Sequence, residues 1–218
     1  MKTHLKTVRR VDAGTERRGE IPSQISLSPR LPVSPSQIVL GIDPGLATTG
    51  WGVVEKAAGR LRVIAYGAIN TAAGAALAER LRAIRHELKI VIDRFRPQAV
   101  AIEELYFAKF AVSIAATAQA RGVILVTLAE AGLPISEYNP RAVKIATTGF
   151  GAANKIQIQS MLQRHLCLEI LPKPDDAADA LGIALCHLQT FALMKIPTSR
   201  RSRAAFEADL AARAGVRL

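Results

Sequence analysis

Two short apolar runs in this chain, IVLGID and AVAIE, each end on an acid, Asp43 and Glu103. Such runs read as buried strands, and Pro44-Gly45 forces a turn directly after the first. A third segment, DDAADALGIALCHL, is apolar almost all round, so it is a helix that must be largely buried. Asp176 and Asp179 lie three residues apart on it and share a face. Carboxylates at strand ends and on a buried helix are costly unless a cation neutralises them. Hard divalent ions such as magnesium take oxygen ligands of this kind. Each acid has an ordinary reading when taken alone, because Asp before Pro-Gly is a turn residue and Asp at a helix start is a cap. Asp179 is too far into its helix for capping. Together the motifs point to a carboxylate-only metal site that works on phosphate.

The segments between the acids say how they could meet. TGWGVVEK and LRVIAYGAI are strand candidates separated by the turn-prone AAGR, so the first three strands form an antiparallel meander. Apolar residues recur at helical spacing from about 76 to 95, and Pro97 ends that helix. A helix between two strands is a crossover, which makes AVAIE parallel to IVLGID and sets Asp43 beside Glu103 at one sheet edge. A long apolar helix over about 111–131, a strand at PISEY, a short helix at NPRAVKIATTG and a helix at NKIQIQSMLQRHL complete the body. This order, βββαβαβα with closing helices, predicts an α/β ribonuclease H-like fold with a mixed five-stranded sheet flanked by helices.

Length and charge narrow the function classes. The 218 residues favour one domain plus tails. No apolar run reaches the roughly 20 residues that cross a bilayer. Cys167 and Cys186 fit neither a zinc nor a disulfide framework, which suits a reducing, cytoplasmic setting. The net charge of +11 is uneven, with +4 in residues 1–37 and +4 in 195–218. Excess positive charge suits a polyanionic partner, although most of it lies in the tails. Residues 1–37 read as a disordered basic extension rich in Ser and Pro, 38–194 as the folded α/β domain, and 195–218 as a basic tail.

GIDPGLATTGWGVVE, AIEELYFAK, AQARGVILVTLAEAGLPISEYNPRAVKIATTGFGAANKIQIQSML and DDAADALGIALCH together resemble the RuvC family of bacterial Holliday junction resolvases. The similarity covers roughly residues 38–190. It implies a homodimeric endonuclease that nicks opposed strands of a four-way junction in DNA recombination and repair. Asp43, Glu103, Asp176 and Asp179 then carry over as catalytic, metal-binding acids. The implied cofactor is Mg2+, two ions per subunit, with Mn2+ as a substitute, and the implied partners are the branch-migration proteins RuvA and RuvB. Phe110 stands where the family usually has Asn. Glu104 and Asp175 are extra carboxylates beside presumed ligands, so the register at Asp175/Asp176 stays open.

Other residues fit a junction nuclease less specifically. Lys144 and Lys155 flank the Gly149/Gly151 loop, and the resemblance places them near DNA phosphates; as plain sequence they could equally be solvated lysines. Lys109 is a further candidate of that kind. Tyr106 could stack on unpaired bases at a crossover, whereas Phe107 suits core packing. Arg121 could meet DNA or make a structural bond inside its apolar helix. That helix has too many apolar faces for one sheet, so it is either buried within the monomer or covered by a twofold partner. Trp51 reads as core, and His187 as a helix-end residue. Asp175, after Pro174, is placed to cap its helix, leaving Asp176 to share a face with Asp179. An actin-like ATPase would need two such domains. A related RNA-processing nuclease would lack the DDAAD helix and the long apolar helix. A non-catalytic junction-binding module would not need the intact acid set.

Overall fold

The apolar runs become strands because each one buries its side chains on both faces of a sheet covered by helices. The computed structural model describes residues 6–7, 36–105 and 111–194. Its strands are β1 (Lys6–Thr7), β2 (Gln37–Asp43), β3 (Thr48–Ala57), β4 (Arg60–Asn70), β5 (Ala99–Glu103) and β6 (Ile135–Tyr138). The helices are α1 (Leu77–Phe95), α2 (Ala111–Glu130), α3 (Pro140–Thr148), α4 (Lys155–His165) and α5 (Asp175–Met194). The sheet order is β1-β4-β3-β2-β5-β6. The expected antiparallel meander is β2-β3-β4, and β5 runs parallel to β2 with Ile42 opposite Ile102. The five expected strands are therefore present, and Lys6–Thr7 adds a two-residue sixth along Ala65 and Tyr66 of β4. Apart from that pair, the N-terminal extension before Ser36 lies outside the described residues, as does the C-terminal tail after Met194.

Helix ends follow local chemistry. Arg96 closes α1 in a left-handed conformation, its N–H on the Ile92 carbonyl, directly before Pro97. Asn139 caps α3 by accepting from the Ala142 N–H at 2.8 Å, with Pro140 as the first helical residue. Asn154 and Gln157 form a reciprocal capping box at α4.

The two faces of the sheet are filled differently. On one, Leu40, Ile42, Trp51, Val53, Val100 and Ile102 pack with Ile84 and Leu88 of α1 and Ile124 and Leu128 of α2. Trp51 is fully buried there, as expected, with its ring 5.8 Å from that of Phe95. On the other face α5 lies against β2 and β3, its alanines and leucines packing with Val39, Val54 and Ala101. This contact is unusually close. A Cβ added to Gly41 would stand 2.0 Å from the Ala180 carbonyl oxygen, and one on Gly50 would stand 1.9 Å from that of Asp176. Gly41 pairs with Gly52, and Gly50 with Asp43. Glycines on neighbouring strands thus clear a track on which α5 lies with its acidic end beside Asp43.

Candidate active site

Strand ends supply two of the acids. Asp43 is the last residue of β2 and Glu103 the last of β5, and these strands are neighbours. The turn after Asp43 is pinned by two hydroxyls: Thr49 donates to the Gly45 carbonyl at 2.7 Å and Thr71 to the Leu46 carbonyl at 2.6 Å. The first turns of α5 supply the others, because Ala177, Ala178 and Ala180 face the core while Asp176 and Asp179 remain partly accessible beside it.

Electrostatics bind the four into one site. Burial, then the charges of Glu103, Asp179 and Asp176, push Asp43 up to about 8. Glu103 is raised by burial and by Asp179. Asp43 and Glu103 are tied by a side-chain hydrogen bond, and burial raises both carboxyls. Asp179 is raised chiefly by burial, and Lys155 and Lys144 oppose the rise. Among the described residues none of the four acids makes an ion pair. Among the described residues no group of three or more His, Cys, Asp or Glu side chains stands close enough together to hold a metal ion. The four acids face one another at coulombic range with oxygen donors only, and among the described residues Lys144 and Lys155 act on them from a distance without forming an ion pair with any of the four.

The expected cations divide. Lys144 lines a cleft of about 540 Å³ with Glu104, Asn139, Pro140, Arg141 and Gly151, and it lowers Glu103. Lys155 forms an ion pair with Asp175 at 2.9 Å, and Asp175 also accepts from the Gln159 amide at 2.9 Å. These two hydrogen bonds hold the Asp175 carboxyl below its ordinary range. Asp175 is thus not the helix cap expected from sequence. The Pro174 carbonyl instead accepts from the Ala177 and Ala178 N–H groups, and Asp175 is already the first helical residue, turned toward α4. Tyr106, Phe107, Lys109 and Phe110 lie outside the described residues.

Two features were not singled out from sequence, and a third departs from its expected place. Arg141 shares the cleft with Lys144; its only signal was its place one residue after Asn139-Pro140 at a helix start. The glycine track had a visible signal, Gly50 and Gly52 alternating on one strand face, but its partner surface lies well over a hundred residues away in sequence. His187 is buried and not merely terminal, with its Nδ1 2.9 Å from the Tyr138 hydroxyl and burial driving its pKa down to about 4.

The chain is similar to known proteins over most of its described body. The profile of the family described as crossover junction endodeoxyribonuclease RuvC matches residues 39–187. A crossover junction endodeoxyribonuclease RuvC of Syntrophomonas wolfei is 47% identical over 166 residues, covering 76% of this chain and 96% of that protein. One from Chloroflexus aurantiacus is 51% identical over 151 residues, 69% of this chain and 92% of the other. Among solved structures, T. thermophilus RuvC in complex with a Holliday junction substrate superposes with a TM-score of 0.66 at 38% identity, covering 70% of this chain and 93% of that one. The yeast mitochondrial resolvase Ydc2, at 12% identity and a TM-score of 0.55, shares the fold.

Proposed function

The chain belongs to the RuvC family of crossover junction endodeoxyribonucleases, and on that premise we propose how its own residues cut a four-way junction. It is a nuclease that hydrolyses phosphodiester bonds at Holliday junctions, in DNA recombination and repair. The observation that carries the reading is the convergence of Asp43, Glu103, Asp176 and Asp179 on one partly desolvated site, where none of the four makes an ion pair among the described residues.

That donor set fits hard divalent ions: it is all oxygen, its charges repel, and the raised pKa values of Asp43, Glu103 and Asp179 record the cost of burying carboxylates together. Asp43 and Glu103 would hold magnesium from the sheet end, and Asp176 and Asp179 from the helix. A pair of Mg2+ ions, or Mn2+ in their place, would supply both activation of a water and charge stabilisation on the departing oxygen. The protein's part is to fix these carboxylates from two directions, and ion binding would favour their deprotonated forms. Lys144 and Arg141 border the cleft that opens beside Glu104 and would attract backbone phosphates. Lys155, released from Asp175, would do the same on the α4 side, and Tyr106 and Lys109 belong to the segment that follows the second acid.

Opposed cuts need two such sites. Exposed Ala115, Ala118, Gly122, Val126 and Ala129 form one stripe along α2, while Ala120, Ile124 and Leu128 face the sheet. This stripe supports a homodimer packed through α2, matching the near-twofold symmetry of a junction. No helix among the described residues is long and apolar enough to cross a membrane. The reading places the protein with chromosomal DNA in the bacterial cytoplasm, alongside RuvA and RuvB.

The test uses purified full-length chain, a synthetic four-way junction, and Asp43→Asn and Glu103→Gln variants. Wild type should nick opposed strands with Mg2+ and stop on chelation. The variants should lose at least about 100-fold in cleavage while binding the junction in metal-free buffer. Retained cleavage in either variant would remove the proposed site.

A further inference from the structure

The carboxyl end of β5 carries Glu103, and its main chain is left with a problem. The parallel ladder between β2 and β5 ends at Ile42 opposite Ile102, and Pro44 brings no N–H with which to continue it. On the other side the Glu104 N–H reaches the Tyr138 carbonyl at 2.8 Å. The Glu103 carbonyl needs a donor from outside the sheet. Arg121 of α2 supplies it: Nη1 donates to the Glu103 carbonyl oxygen at 2.8 Å, and Nη2 reaches Glu137 Oε2 on β6 at 2.6 Å. The Arg121 side chain is only 11% exposed, and its two arms tie together α2, the end of β5 and the end of β6.

We infer that Arg121 is a positioning residue for the nuclease reaction, holding the backbone of Glu103 so that its carboxylate meets metal and phosphate in register; the inference rests on the carboxylate reading of the site. A planar guanidinium serves two acceptors in different directions, which a lysine ammonium on a flexible stem does less well. Because α2 carries the clamp, the seat of this helix sets the presentation of Glu103. A partner packed on the exposed stripe of α2 would thereby reach the site without touching it.

The experiment compares full-length wild type with Arg121→Gln, Arg121→Lys, Glu137→Gln and Glu103→Gln. It measures single-turnover junction cleavage against Mg2+ concentration, junction binding in metal-free buffer, and the rise in melting temperature that Mg2+ produces without DNA. For Arg121→Gln we expect cleavage or apparent metal affinity to fall about 10- to 100-fold. Its magnesium-induced rise in melting temperature should shrink, and junction binding should stay close to wild type. Arg121→Lys should recover part of both losses. The inference is overturned if Arg121→Gln keeps the wild-type magnesium dependence. It is equally overturned if the variant loses stability and junction binding together while its magnesium dependence stays fixed, since the role would then be structural only. Should Arg121→Gln fail to fold, Glu137→Gln decides, and an unchanged magnesium requirement there counts against the clamp. Wild type that does not cut, or Glu103→Gln that does, would instead sink the site reading itself.

Discussion

The two faces of the sheet illustrate two ways of packing a helix. On the α1/α2 face large side chains interlock, with Ile84, Leu88, Ile124 and Leu128 set against Leu40, Ile42, Trp51 and Val100. On the α5 face glycines admit the helix backbone itself, with Gly41 and Gly50 under the carbonyls of Ala180 and Asp176. The first arrangement maximises apolar burial. The second brings a helix close enough for its side chains to share a site with a strand end. Stability and activity should therefore separate between the faces.

The strongest test of that contrast is a matched pair of substitutions. Ile84→Ala removes a fully buried side chain and should cost about 2–5 kcal/mol of stability. Below its lowered melting temperature this variant should still cleave with ordinary magnesium dependence. Gly50→Ala adds one carbon against the Asp176 carbonyl and should cost about 1–3 kcal/mol. Its cleavage, however, should fall by about 100-fold, because a displacement of α5 misplaces both helix acids. Denaturant melts and single-turnover cleavage of both variants check this, and equal activity losses would dissolve the distinction.

A smaller effect concerns pH in metal-free buffer. Asp43 is raised to about 8, so between its ordinary value and that pH the folded state keeps a proton the unfolded chain has released. Stability should fall as pH rises through this range and level off above about 8. Buried His187, lowered to about 4, acts the opposite way: its contribution is full above the ordinary histidine range and is lost as pH falls toward 4. The interval from about pH 6.5 to 8 therefore isolates the carboxylates. Melting temperature should decline across it in wild type and stay flatter in Asp43→Asn, and magnesium should reverse the decline. A wild-type profile as flat as that of the variant would contradict the buried-acid site.

The smallest change is expected at Asp175. Its carboxylate is bonded to Lys155 and Gln159 at the surface, so Asp175→Ala should shift melting temperature only slightly and leave cleavage close to wild type. Asp176→Asn should do the reverse. If Asp175→Ala is instead the inactive variant, the helix register of the site is off by one residue.

Much of this arrangement was readable from local pattern. Apolar runs of strand length, helix-period spacing before Pro97, and Asn139 and Asn154 ahead of α3 and α4 fix the elements, because they depend on neighbours a few residues away. The crossover rule makes β2 and β5 parallel, so even the meeting of Asp43 and Glu103 follows from chain order. Asp175 was misread as a cap because the sequence does not show that Lys155 and Gln159 of α4 stand beside it. Likewise Arg121 had two open readings until α2 was seated over the ends of β5 and β6. Sequence by itself determined the elements and their order and offered the acids as candidates, since these are properties of short stretches of chain. Only the tertiary structure decided how near α5 lies to β2, that burial raises Asp43, and what Arg121 holds. Those depend on distances between segments far apart in sequence, where an ångström alters both packing and charge.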